Sequence, residues 1–288
     1  VINDLLPHLA QEQNKRTLTE GIKGEELNVL VGSHPFKSDA GSELVKLNIL
    51  SILFEKYGVT ESDFLSAELE LVPAYPARDI GFDRSMIGAY GHDDRVCAYP
   101  ALMACLEAKT PEKTIICVLA DKEETGSDGN TGLNSQFLEY VIADIARMQG
   151  VEPDDAKRAS CCLSADVNAA VDPTFQEVSE QRNASFLNYG VVITKYTGSR
   201  GKGGTSDASA EYMGKIRAML DNAGVLWQIG ELGKVDLGGG GTVAKYIANL
   251  GIDVVDVGVP VLSMHAPFET VAKLDVFMVY RAMQAFFQ

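Results

Sequence analysis

The chain shows two hydrophobic rhythms. From Leu44 to Tyr57 (LVKLNILSILFEKY) apolar side chains recur at helical spacing, and the run stops at Gly58, a residue suited to ending a helix. From Phe64 to Val72 (FLSAELELV) apolar and acidic residues alternate, which predicts a half-exposed strand. Gly32, Ser33, Pro35 and Gly41 mark a loop before the helix. Residues 1–78 therefore read as a small α+β unit.

From about Pro73 onward the rhythm changes: short apolar runs rich in β-branched residues alternate with amphipathic stretches. That is the pattern of strands joined by crossover helices into a largely buried sheet. Strands are predicted at Lys113–Ala120, Ser160–Ala165, Val191–Tyr196, Val225–Ile229 and Val254–Leu262. Helices are predicted at Arg95–Glu107, Leu133–Met148, Ala208–Asn222, Thr242–Leu250 and Thr270–Phe287. In the last of these Val271, Leu274, Phe277, Val279, Met283 and Phe286 share a broad face, which is core packing. No repeat of 20 to 50 residues is present. The fold class is α/β: a wound, mixed but mostly parallel sheet flanked by helices, in residues 79–288, beside the smaller α+β unit.

Composition narrows the function classes. A length of 288 residues with 46% hydrophobic and 23% charged residues is that of an ordinary globular protein and excludes wholesale disorder. No run approaches the roughly 20 apolar residues that span a bilayer, so a membrane partner is not expected. With 25 basic against 40 acidic residues the net charge is −15, which repels phosphate backbones and argues against nucleic acid. The five cysteines have no CxxC spacing, and the chain is too long to need staples, so reduced thiols in a cytoplasm are expected. The residues after Val1 show no secretory leader pattern.

In a wound sheet ligands gather outside the carboxyl ends of the strands. Polar clusters fall there: Asp121-Lys122-Glu123-Glu124, Asp166 and Met264-His265, joined by His92-Asp93-Asp94-Arg95 at the opening of a helix. Taken singly, Asp93-Asp94 fit a helix cap, Glu123-Glu124 a solvated loop, Asp166 a turn and His265 a rim residue. Taken together, they form an oxygen-rich site with one imidazole, suited to Zn²⁺, Mn²⁺ or Co²⁺ rather than to a thiolate-seeking metal. Adjacent side chains diverge, so one of Glu123 and Glu124 can bind metal while the other faces a water. This is the arrangement of general-base hydrolysis.

Four stretches, GHDDRVCA (Gly91–Ala98), DKEETGSDGNTG (Asp121–Gly132), SADVNAAVDP (Ser164–Pro173) and MHAPFE (Met264–Glu269), resemble in order the motifs of the cocatalytic-zinc aminopeptidases. The resemblance is closest to the aspartyl aminopeptidase family. LLPHLAQEQN (Leu5–Asn14) resembles part of that family's inserted domain, used for subunit contacts. The resemblance implies that residues 1–78 are the C-terminal part of an inserted dimerisation or oligomerisation domain and residues 79–288 the catalytic domain. It implies two divalent ions per complete subunit, zinc ahead of manganese or cobalt. Asp93 would bridge them, Glu124 and His265 complete one site, Asp166 belong to the other, and Glu123 act as general base. Its partners would be peptide substrates and copies of itself, with dimers building a larger, dodecameric shell.

The family's first zinc ligand is a histidine in a His-x-Asp motif upstream of the insertion, and neither His8, His34 nor His92 supplies it. The expectation is that the first strands of the catalytic domain lie before Val1. The family name implies acidic N-terminal residues as substrates, which need a basic group. Lys195, with Arg200 and Lys202, is the compact basic cluster available, or else a charged flexible loop. Glu12 stands where the resemblance would place a histidine reaching into a neighbouring subunit's site. Gly238–Gly241, followed by Thr242 and Lys245, misses the phosphate-loop spacing and fits tight backbone approach instead. The competing reading is a non-catalytic assembly or peptide-binding protein on this fold, its acidic rim a remnant.

Overall fold

The helix read from Leu44 to Tyr57 forms with those limits, as α1, in a computed structural model that describes residues 1–38 and 41–288. Gly58 closes it in the left-handed region at φ 70°, and its N–H reaches Phe54 O at 2.9 Å. Only glycine enters that region without a steric cost, so the sequence stop and the structural stop coincide. The alternating stretch from Phe64 does not become a strand. Asp63 accepts both the Thr60 N–H (2.7 Å) and its hydroxyl (2.8 Å), which favours a short 3₁₀ turn over Glu61–Leu65. Beyond it Leu69 and Leu71 are exposed, with no ladder beside them among the described residues.

These elements lie in the first of two compact units, Val1–Leu71; the second is Val72–Gln288. The second unit opens with β1 (Arg78–Ile80), β2 (Met86–Ala89), α2 (His92–Glu107), α3 (Phe137–Met148) and α4 (Pro153–Arg158). It continues through β3 (Cys161–Ala165), β4 (Asn168–Ala169), β5 (Val191–Thr194), α5 (Ala210–Asn222) and β6 (Trp227–Ile229). It ends with α6 (Ala244–Asn249), β7 (Asp253–Gly258), β8 (Pro260–Leu262), β9 (Glu269–Ala272) and α7 (Lys273–Phe286).

The strands form a four-stranded sheet of order β3-β7-β5-β6 and a five-stranded sheet of order β1-β2-β9-β8-β4. In the first, β3–β7 and β5–β6 are parallel and β5–β7 antiparallel. In the second, β4–β8 is parallel and the remaining pairs are antiparallel. This is the mixed, helix-flanked α/β architecture that the apolar pattern predicts.

In the second unit three further predicted elements differ in kind from expectation. The single strand predicted over Val254–Leu262 is two strands, one in each sheet, with the break at Val259. The pairing with the neighbouring chain runs on across that break, from Asp166 N to Val257 O, Asn168 N to Val259 O and Ala170 N to Val261 O. The first turn of the predicted C-terminal helix is instead β9, because Val271 sits between Ile87 of β2 and Val261 of β8, where a β-branched side chain packs well. Lys113–Ala120 forms no strand: among the described residues no other strand pairs with it, and Ile116, Val118 and Leu119 stay exposed.

The core fills both faces of the sheets. Val191, Ile193, Val255, Val257 and Val271 meet Cys97 and Ala104 of α2, Ile216 and Leu220 of α5, and Val279 and Met283 of α7. A second cluster joins Ala244 and Ile247 to Ile252 and Val254, with Leu138 and Ile142 of α3 against it. Each fully buried valine contributes on the order of 1.5–3 kcal/mol, so the loops at the strand ends stand on a stiff base.

Candidate metal centre

Four loops bring the acidic residues together. Gly91, in the left-handed conformation at φ 70°, turns the chain out of β2 into α2. Asp93 and Asp94 follow with non-helical dihedrals, ahead of the helix predicted from Arg95. Glu123 and Glu124 occupy one 3₁₀ turn between the left-handed residues Lys122 (φ 63°) and Gly126 (φ 98°). At about three residues per turn their side chains splay widely, as the adjacent pair suggests. Asp166 lies directly after β3, and His265 (φ 65°) lies in the turn that links β8 to β9.

Asp93, Glu124 and His265 each offer a ligand atom, and all three lie within 4.8 Å of one another. His265 Nε2 is 3.0 Å from Asp93 Oδ2 and 3.2 Å from Glu124 Oε1. Asp93, Asp94 and Asp166 make a second such group, so Asp93 is common to both. Lys195 Nζ pairs with Asp207 Oδ1 at 2.5 Å and lies 4.1 Å from the centre of the Tyr196 ring.

The electrostatics fit a cation-binding site. Burial, with the negative charge of Glu124 beside it, pushes Asp93 up to about 7. Burial, with Asp166 as the nearest repelling charge, pushes Asp94 up to about 9. Asp166 is raised to about 8 by burial and then by Glu123. Glu123 is raised by burial and by Glu124, with His265 opposing. Asp94 Oδ1 is buried with no hydrogen-bond partner. Carboxylates so crowded need protons or a cation between them, and the two carboxylates and one imidazole of the first group are donors that a transition metal accepts.

Asp94 is the member that the residue pattern leaves as a helix cap. The signal for it was its position beside Asp93 at the helix entrance, where the non-helical dihedrals of both residues let both carboxylates reach one group.

Comparison with known proteins settles the family. The sequence profile of the aminopeptidase I zinc metalloprotease (M18) family matches residues 1–287. The chain belongs to the M18 family. This M18 chain is 49% identical over 290 residues to a probable M18 family aminopeptidase 1 of Clostridium acetobutylicum, covering 99% of this chain and 62% of that protein. The corresponding protein of Thermotoga maritima is 48% identical over 289 residues, with 99% and 63% covered. The M18 chain thus spans somewhat under two thirds of the length of these relatives.

The crystal structure of the Thermotoga maritima M18 aminopeptidase superposes with a TM-score of 0.94 at 47% identity, over 100% of this chain and 64% of that one. A more distant match, the S. cerevisiae mApe1 dodecamer, has a TM-score of 0.66 at 21% identity over 84% of this chain and 54% of its own, and shares the fold.

Proposed function

We propose that this M18 chain is the metal-binding part of an aminopeptidase that removes the N-terminal residue of peptides. The observation that carries the reading is the convergence of Asp93, Glu124 and His265 within ligand reach of one another, with Asp94 and Asp166 in a second group that shares Asp93. Asp93, Glu124 and His265 hold one divalent ion, and Asp93 with Asp166 contributes to a second. Zinc suits the donors best, with manganese and cobalt as alternatives. When bound, such a pair acidifies water, polarises the scissile carbonyl and anchors the free amino terminus.

The chain's own residues do the rest. Glu123 is the general base: its carboxylate is half buried beside the acidic cluster and does not belong to the Asp93, Glu124 and His265 group. The elevation of its pKa moves it toward the working pH, where a base both accepts and returns a proton efficiently. Lys195 offers the positive charge for an acidic first residue.

Residues 1–71 form a unit of their own, which supports a role in subunit contact within a homo-oligomer. The dodecamer of the distant yeast neighbour supports a larger shell. All five cysteines are free, which fits a reducing cytoplasm. No helix among the described residues is long and apolar enough to cross a membrane.

The test is metal analysis together with one substitution. The wild-type protein should hold transition metal, about two ions per complete subunit. Glu123→Gln should keep that metal while turnover falls by roughly 10²- to 10⁴-fold, the usual share of a general base. Wild-type protein that takes up no metal supports a scaffold instead, and a fully active Glu123→Gln removes Glu123 from this role.

A further inference from the structure

Glu269 is the first residue of β9 and is only 2% exposed. Its backbone is fixed in the middle of the five-stranded sheet, where Glu269 pairs with Ala89 at the end of β2. Its carboxylate spans two loops. Oε2 accepts the backbone N–H of Asp93 at 3.0 Å, and Oε1 accepts the backbone N–H of His265 at 2.8 Å. A buried carboxylate on two amides is a strong, charge-assisted pair of bonds.

The two amides belong to residues whose side chains share the first metal group. His265 sits in the left-handed region at φ 65°, in a turn closed by Ala266 N to Ser263 O at 2.9 Å. A non-glycine residue keeps that conformation only where its surroundings hold it. On the Asp93 side the chain has just left β2 and is not yet helical. Both loops would otherwise be free to move by the fraction of an ångström that decides whether ligand atoms meet.

We propose that Glu269 is a positioning residue that ties the Asp93 loop to the His265 loop and so preforms the metal site. It touches neither metal nor substrate; it acts through the backbones of two ligands. The inference rests on the metal-site reading above.

Cobalt(II) alone is the probe, with its dissociation constant measured by competition against a chelating dye and its visible absorption recorded on the loaded protein. Glu269→Gln keeps one acceptor oxygen but turns an N–H₂ toward the other amide. It should weaken Co²⁺ binding by about 10- to 100-fold, as outer partners of ligands do, and should shift the absorption bands. Asp275→Asn is the control. Asp275 is fully buried and also takes two backbone N–H bonds, from Asn188 and Gly190 at 2.8 Å each, away from the metal groups. Its substitution should lower thermal stability and leave Co²⁺ affinity and spectrum unchanged.

Wild-type affinity and spectrum in Glu269→Gln overturn the inference, and so does an equal loss in both variants, since the role would then be structural only. Wild-type protein that binds no Co²⁺ defeats the metal-site reading itself. If Glu269→Gln does not fold, amide hydrogen exchange in metal-free wild type decides. Protection of the Asp93 and His265 amides up to global unfolding supports the clamp, and rapid exchange of either overturns it.

Discussion

Nε2 of His265 lies 3.0 Å from Oδ2 of Asp93, although their loops stand near opposite ends of the Val72–Gln288 sequence. The contact joins an imidazole to a carboxylate that burial and Glu124 push up to about 7. Asp166, in the second group that shares Asp93, is pushed up to about 8. The metal-free folded protein therefore holds protons that the unfolded chain, with ordinary carboxyl values near 4, has already released.

Stability from this source is present below about pH 4 and is lost as pH rises through about 7 to 8. Metal-free wild type should lose melting temperature between pH 5 and pH 8 more steeply than Asp166→Asn, which cannot ionise at that position. A cation entering the site must displace the same protons, so its uptake near neutrality should release protons and tighten as pH rises. Calorimetry in buffers of different ionisation enthalpy checks this; a heat independent of buffer would contradict it.

Much of the fold was legible because its periodicities were long and clean. The limits of α1 at Leu44 and Gly58 match the sequence reading, and so does the end of α2 at Glu107. The four polar motifs were legible too, as types: a bare Asp pair at a helix opening, and a Glu pair, a lone Asp and a lone His after apolar runs. What the pattern could not carry was tertiary. Nothing local separates Thr270-Val271 in a strand from the same residues in a helix; the pairing of Val271 with Ile87 and Val261 decides it. Lys113–Ala120 carries strand composition, but composition alone cannot supply a partner. Glu269 was visible as the end of MHAPFE, while its reach to Asp93 depends on β9 lying beside β2.

Gly258 links the sheet to the site. A Cβ placed there would stand 1.4 Å from the carbonyl oxygen of Asp166, far inside contact distance, and no flexible side chain is present to yield. Gly258→Ala must therefore push the Asp166 backbone away from β7 or break the ladder that runs through Asp166 N and Val257 O. Overpacking of this kind costs about 1–3 kcal/mol where neighbours can relax, and here the neighbour is backbone, so the loss should reach at least the upper end. Chemical denaturation should show a lower midpoint, and metal titration should show weaker binding at the second group. Wild-type stability would mean that β7 and Asp166 can part without cost.

Lys195 is the remaining test of substrate choice. Its ammonium is already paired with Asp207 at 2.5 Å, and its side chain is about a quarter exposed, at 26%. An acidic first residue must therefore share or displace Asp207, whereas a neutral one need not. If Lys195 receives the substrate carboxylate, Lys195→Met should lower kcat/KM for peptides beginning with Asp or Glu by about 10- to 100-fold. That is the worth of one hydrogen bond to a charged group, about 1.5–3 kcal/mol. Peptides beginning with Ala should be affected far less. Asp207→Asn should move the ratio the other way, since it removes the competing carboxylate and leaves the lysine free. Parallel losses on acidic and neutral substrates in Lys195→Met would place Lys195 in local packing with Tyr196 and Asp207, and recognition of the first residue would have to come from another part of the molecule.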